Sequence, residues 1–464
     1  MKITINIKDE YIHSLKYLFL GFSIIMWVSY VYFFQGWSNN LYLLIATIFA
    51  IYMAMNLWAN DVANNMWPAV WSKAITLWWA ILIAAIFEAS WALIAWWDVV
   101  DTIKWWIIDQ SLIKDSREFI FIMLSTLLWA ALWLNIATFF RAPISTTNSI
   151  IWWLIWAWLV AEWASIVYWD KIWEIVASWI ISLIIWWVIS VLLYMSVRKT
   201  ILDREKRWEA AKHWVPVYVS LMMTIFSIYL MMKGLKPVLK SNELLSWVIN
   251  PTTATFIWLI IWVVTYMILV VLYKRHNEWF FKDKKKFINK LFNVPLIFAV
   301  ALLSFAHGSN DVANAIWPLA AINETIKNWW LEIVNSAWVP FWIMLFWALG
   351  LSIWLATFWA RLIKTVWSEI TKLDQIRAFC VALSAAATVL VASQLWLPVS
   401  STQIALWAIF WIWLYRQHKK TVEWKDKVVI KKWMMNGIIL SWIVTLPIAW
   451  IISWLTYIIL INFI

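Results

Sequence analysis

Two short polar segments interrupt long apolar stretches of this chain, and each occurs twice. Asn60-Asp61-Val62-Ala63-Asn64 returns 250 residues later as Asn310-Asp311-Val312-Ala313-Asn314. An ionised Asp at the centre of a membrane helix costs about 2.5–3.5 kcal/mol even on a lenient insertion scale, so it needs a partner. Neither segment contains Lys or Arg. Carboxylate, amide and backbone carbonyl oxygens together suit a hard cation, with Asp61 and Asp311 as the charged ligands and Asn60, Asn64, Asn310 and Asn314 beside them. Asp61 and Asn64 are three apart and share a helix face, and Pro68 after position 67 predicts a break that frees carbonyls there. The plainer alternative, Asx residues capping helix breaks, does not explain why the segment appears twice.

The second constellation is Ser145-Thr146-Thr147 after Pro143, mirrored by Ser400-Ser401-Thr402 after Pro398, 255 residues later. Each opens a new apolar segment, so its hydroxyls and the first unpaired backbone N–H groups gather at a helix N-terminus. Such ends bind phosphate-like anions through those donors and the positive end of the helix dipole. An ordinary N-cap uses the same residues. Two such ends facing each other could surround a tetrahedral oxyanion. Three further polar residues stand out. Glu88 is a candidate third cation ligand or proton carrier, or a hydrogen-bonded structural acid. His307 suits a cap better than a proton relay, and Arg141 suits an interface.

The elements that must position these groups are membrane helices. Of 464 residues 65% are apolar and 13% charged, which excludes an ordinary globular surface. Apolar runs of about 20 residues, enough to cross the hydrocarbon layer, recur from end to end. Spans are expected at 17–34, 41–66, 74–94, 119–138, 146–168, 172–197, 213–232, 253–273, 294–317, 338–360, 376–395, 402–415 and 434–461. The fold class is therefore an all-α integral membrane protein of about 12–13 transmembrane helices. The single cysteine, Cys380, excludes a disulfide framework and Cys-based metal centres.

Lys and Arg cluster in three loops, with six at 198–212, seven at 274–290 and seven at 416–432. The positive-inside rule makes all three cytoplasmic, along with the N-terminus, and accounts for most of the +12 charge without nucleic acid. The first N-D-V-A-N copy is then entered from outside and the second from the cytoplasm. This predicts two inverted-topology repeats with broken helices and a midplane site. The expected organisation is an extra N-terminal helix in 1–40, a first repeat in 41–197, a linker with two helices in 198–290 and a second repeat in 291–464. The first span lacks a cleavage site and reads as a retained helix.

Tryptophan is anomalous. Gly 6 stands beside Trp 48, where about 30 glycines would be usual. Doublets such as Trp152-Trp153 and Trp186-Trp187 fall inside spans rather than in interfacial belts. Trp58 occupies the place in the first repeat that Gly308 holds in the second. Most tryptophans are therefore expected to stand for glycine, encoded by a reassigned UGA codon. Indoles at 67, 152, 153, 317 and 407 would crowd places where backbone must reach ligand.

N-D-V-A-N…P, A-H-G-S-N-D-V-A-N-A (306–315), P-I-S-T-T and P-V-S-S-T resemble the inorganic phosphate transporter (PiT) family of cation-coupled phosphate symporters, over about residues 45–461. Glycine at the tryptophans improves the likeness, as in S-I-I-G-G-L-I-G-A-G over 149–158. The resemblance implies a homodimer in the cell membrane moving phosphate with sodium ions or protons. It places cations and phosphate orientation on Asp61, Asn64, Asp311 and Asn314, and phosphate on Ser145, Thr146, Thr147, Ser400, Ser401 and Thr402. The chain departs from the family at Asn148 and Gln403, where relatives carry His, at Ser401 and Ala382, and in the helix at 17–34.

The expected function is secondary active import of inorganic phosphate with a co-transported cation, Na+ favoured over H+, and no prosthetic cofactor. The alternatives are a sulfate or metal-phosphate permease on the same fold, a channel or receptor without coupling and, more remotely, an intramembrane enzyme using Asp61, Asp311, Glu88 and His307.

Overall fold

The computed structural model describes residues 41–94, 116–139, 144–162, 167–231, 251–274, 284–327, 373–395, 399–418 and 432–463, with a few isolated positions besides. The spans expected at 17–34 and 338–360 and most of the loop 416–432 lie outside the described residues. Among those described there is no strand, and twelve α-helices make up nearly all of them. In chain order they are α1 (Leu41–Trp71), α2 (Leu77–Ile94), α3 (Ser116–Phe139), α4 (Thr146–Glu162), α5 (Trp169–Val197), α6 (Arg207–Tyr229), α7 (Pro251–Lys274), α8 (Lys284–Leu291), α9 (Asn293–Lys327), α10 (Gln375–Gln394), α11 (Ser401–His418) and α12 (Lys432–Phe463). Among the described residues four apolar stretches are long enough to cross a membrane: Ser116–Ala137, Trp169–Leu202, Thr255–Leu272 and Gln375–Ser393. Shorter apolar stretches lie in α1, α2, α9, α11 and α12.

Contacts near helix ends fix the direction of the main helices. Gln375 Nε2 donates to the Ser72 carbonyl at 2.8 Å, so α1 ends where α10 begins. The rings of Phe292 and Phe379 meet at 5.4 Å, so α9 begins at that same end. The helices that carry the two N-D-V-A-N copies, α1 and α9, therefore run antiparallel. Tyr42 meets Phe121 at 5.5 Å at the opposite end, where α1 and α3 both start. The packing pairs repeat across the chain: α1 on α3 matches α9 on α10, α3 on α4 matches α10 on α11, and α4 on α12 matches α11 on α5. The final helix, numbered within the second repeat, thus packs on helices of the first.

One expectation is corrected. Pro68 and Pro318 do not break their helices, because α1 runs on to Trp71 and α9 to Lys327. A proline removes one N–H and crowds the carbonyl four residues back, which neighbouring helices can hold as a bend. Here α1 and α9 pack on each other as well as on their neighbours. The donors removed are those for the carbonyls of Asn64 and Asn314, inside the motifs. The end of α1 comes three residues after Pro68 in a Schellman turn. Ala74 N–H reaches the Ala69 carbonyl at 2.9 Å and Lys73 N–H the Val70 carbonyl at 3.1 Å, with Lys73 at φ 61°. The short helix α8 was not legible as a helix. Eight residues are marginal alone, and buried Ile288 and Leu291 secure it against α6, α9 and α10.

Candidate functional site

The local chemistry of S-T-T and S-S-T is the same in both copies. The Ser145 hydroxyl accepts the Asn148 N–H at 3.0 Å, and the Ser400 hydroxyl accepts the Gln403 N–H at 3.2 Å. These are N-caps of α4 and α11, each meeting an N–H that no helical carbonyl can reach. Their own O–H groups stay available as donors. The following hydroxyls are the ones turned to the motif. Thr146 Oγ1 donates to Asp61 Oδ2, and Thr402 Oγ1 donates to Asp61 Oδ1 at 2.9 Å. Thr147 Oγ1 lies 3.5 Å from the Val399 carbonyl, so the start of each helix also touches the other.

Two helix N-termini therefore converge on one buried carboxylate. Each such end is equivalent to about half a positive charge, which together with two hydroxyl donors helps to offset an ionised Asp61. Asp61 is 0% exposed, and Ser145, Thr146, Thr147, Ser400, Ser401 and Thr402 are all buried.

A second carboxylate lies behind the first. The His307 imidazole sits between them, Nε2 3.7 Å from Asp61 Oδ2 and Nδ1 3.5 Å from Glu88 Oε2. Asn65 Nδ2 donates to Glu88 Oε1 at 3.1 Å. Glu88 thus lies near Asp61, and His307, within the continuous helix α9, sits between the two acids instead of capping a helix. Asn65 was missed because it follows the repeated five residues and its counterpart in the second copy is Ala315. Gly308 lets α9 approach α2 here, since a Cβ on it would stand 3.0 Å from the Glu88 carbonyl oxygen.

The side chains of Asn60, Asn64, Asn310, Asp311 and Asn314 lie outside the described residues, although their backbone belongs to α1 and α9. Arg141 and Pro143 are also outside them. In the helices that carry the site, Trp67, Trp153, Trp158 and Trp317 are almost wholly buried. The indole N–H groups of Trp153, Trp158 and Trp317 find no acceptor among the described residues. A buried indole usually finds one, and each orphaned donor costs about 1–3 kcal/mol.

Comparison with known proteins gives the family and the overall fold. Residues 58–453 match the Phosphate transporter family. A Helicobacter pylori protein named "Putative phosphate permease" is 44% identical over 387 residues, covering 82% of this chain and 70% of its own length. A protein of the same description from Pyrococcus abyssi is 35% identical over 423 residues, covering 89% and 96%. The solved structure titled "The sodium-dependent phosphate transporter" superposes with a TM-score of 0.80 at 27% identity, covering 92% of this chain and all of that one.

Proposed function

Because this chain belongs to the phosphate transporter family, we propose that it is a secondary active importer that couples inorganic phosphate to a cation, Na+ in preference to H+. It is a membrane transport protein and not an enzyme. The observation that carries the coupling is the convergence of Thr146 and Thr402 on Asp61. Those hydroxyls and helix ends are the donors a phosphate would use, and Asp61 engages them. A carboxylate and a phosphate anion cannot both hold them without strong repulsion in a low-dielectric interior. A cation on the Asp61 oxygens neutralises the carboxylate and releases the hydroxyls toward phosphate. Cation loading therefore precedes, and enables, anion binding.

Sodium is favoured because the donor set is oxygen-rich and amides stand at 148 and 403, where relatives carry His. By the same reading Asp311, with Asn310 and Asn314, serves a second cation, and Asn60, Asn64 and Glu88 complete the cation shell. Phosphate lies between Ser145, Thr146, Thr147 and Asn64 on one side and Ser400, Ser401, Thr402 and Asn314 on the other. Antiparallel α1 and α9 and the matched packing pairs support two inverted repeats, 41–197 and 291–464, joined by the linker 198–290. The loops at 198–212 and 274–290 then face the cytoplasm of a cell membrane. A homodimer belongs to the same proposal. Glycine at positions 67, 153, 158 and 317 in the natural protein would remove the buried indoles.

Labelled-phosphate uptake into proteoliposomes tests the proposal. Uptake driven by an inward Na+ gradient and resistant to excess sulfate is expected. Uptake indifferent to both Na+ and proton gradients would end the coupling claim, and full competition by sulfate would end the substrate claim.

A further inference from the structure

The two ends of the helical bundle differ in charge. At the end where α1 finishes and α9 and α10 start, several charges are neutralised locally: Arg198 pairs with Asp203 at 2.9 Å and Arg377 with Asp374 at 3.0 Å. Lys73, Lys199, Arg204 and Lys290 are exposed there and have no ion pair among the described residues. At the opposite end Glu118, Asp170, Glu174 and Glu324 outnumber the basic residues described, and Lys171 is already paired with Glu174 at 2.9 Å.

These unpaired cations stand at one level of the bundle. On α5, Leu192 and Met195 face outward at 57% and 40% exposure, and Lys199 follows Met195 by about one helical turn. At the start of α9, Val294 and Phe298 face outward at 49% and 45%, and Lys290 precedes Val294 by a similar interval. Lys73 lies in the turn before α2, whose outward face carries Leu82 and Ile86. Sequence separates residues 73, 199 and 290 widely, but α8 packs on α6, α9 and α10, and α1 ends against α10. The result is a basic collar just beyond the apolar surface, at the depth of lipid headgroups.

We propose that this collar binds the headgroups of anionic phospholipids such as phosphatidylglycerol, at a site separate from Asp61. Basic side chains at this depth, without acidic partners, complement a negatively charged leaflet. The inference needs only that the bundle spans a membrane, and it stands or falls apart from the transported ion.

The test is thermal unfolding of the full chain in a neutral detergent with added lipid. Phosphatidylglycerol should raise the midpoint by several degrees and phosphatidylcholine should not, and about 1 M salt, with a screening length of about 3 Å, should erase the difference. K199E/K290E should lose the increment, while K199R/K290R should keep it. If the reversal variant does not fold, native mass spectrometry of the unmodified protein decides, by preferential retention of phosphatidylglycerol over phosphatidylcholine. Equal effects or equal retention of the two lipids overturn the proposal. So does an undiminished increment in a folded K199E/K290E.

Discussion

The starts of α4 and α11 are alike in their caps and unlike in their reach. Ser145 and Ser400 each accept the N–H three residues on, as related sequence predicts. Yet the hydroxyls that meet Asp61 come from positions that do not correspond: Thr146 is the middle residue of its triplet and Thr402 the last. The counterpart of Thr146 is Ser401, and that of Thr402 is Thr147. Local hydrogen bonding obeys the repeat, whereas the contact made across the molecule breaks it. Asp61 receives one hydroxyl from its own half and one from the other, so a single carboxylate registers the position of both halves. This is a suitable place for a cation to control an anion site.

A graded set of substitutions can break or sharpen that contrast. Asp61→Asn should have the largest effect, since it removes the charge that holds the cation on which phosphate binding depends. With interactions of a charged group worth about 1.5–3 kcal/mol each and two carboxylate oxygens offered to the cation, phosphate uptake should fall by more than about 100-fold. The folded protein should still be recovered by size-exclusion chromatography, and near-normal sodium-driven uptake would refute the role given to Asp61.

Thr402→Val and Thr146→Val should each cost about 10- to 100-fold in uptake, or roughly 1.5–3 kcal/mol, with Thr402→Ser close to the parent. Ser401→Ala should cost less than either. If instead Ser401→Ala matches Thr146→Val, the two halves are functionally equivalent and the asymmetry at Asp61 has no consequence.

Gly308→Ala tests the approach of α9 to α2. With 3.0 Å between the added Cβ and the Glu88 carbonyl oxygen, overpacking of about 1–3 kcal/mol should lower thermal stability. An unchanged melting midpoint would mean that the helices separate without cost. Ser145→Ala and Ser400→Ala should have the smallest effects, each about 1 kcal/mol and equal to one another in a melting experiment. Unequal losses would show that one hydroxyl does more than cap.

The tryptophans have a separate test. Trp158 is fully buried, and its N–H finds no acceptor among the described residues. If indole is its natural side chain, Trp158→Gly should cost at least about 3–5 kcal/mol. If glycine is natural, the substitution should be neutral or stabilising, and peptide mass spectrometry of the protein from its source should read glycine there, with tryptophan retained at Trp442.

Much of the architecture was legible in the chain because a bilayer permits few solutions. Backbone groups in hydrocarbon must be satisfied within the helix, so apolar length alone placed α1 to α7 and α9 to α12 to within a few residues at most ends. The exceptions have physical causes. Pro68 and Pro318 carry the sequence signature of a break, but lateral packing held both helices continuous. The helix α8 is too short to announce itself, and only its docking surface stabilises it.

The sequence by itself determined the chemistry of the site: two repeated acidic segments without basic partners, and two repeated hydroxyl runs at helix starts, because residue type and spacing along one helix are local properties. It also offered N-capping as the plainer role of the hydroxyl runs, which Ser145 and Ser400 take up, since an N-cap reaches only three residues. Tertiary structure decided which groups meet. That Thr402 finds Asp61 across 341 residues, that His307 lies between Asp61 and Glu88, and that Lys73, Lys199 and Lys290 share one level depends on how the helices cross. Crossing is set by the packing of whole helix surfaces, which no short stretch of sequence contains.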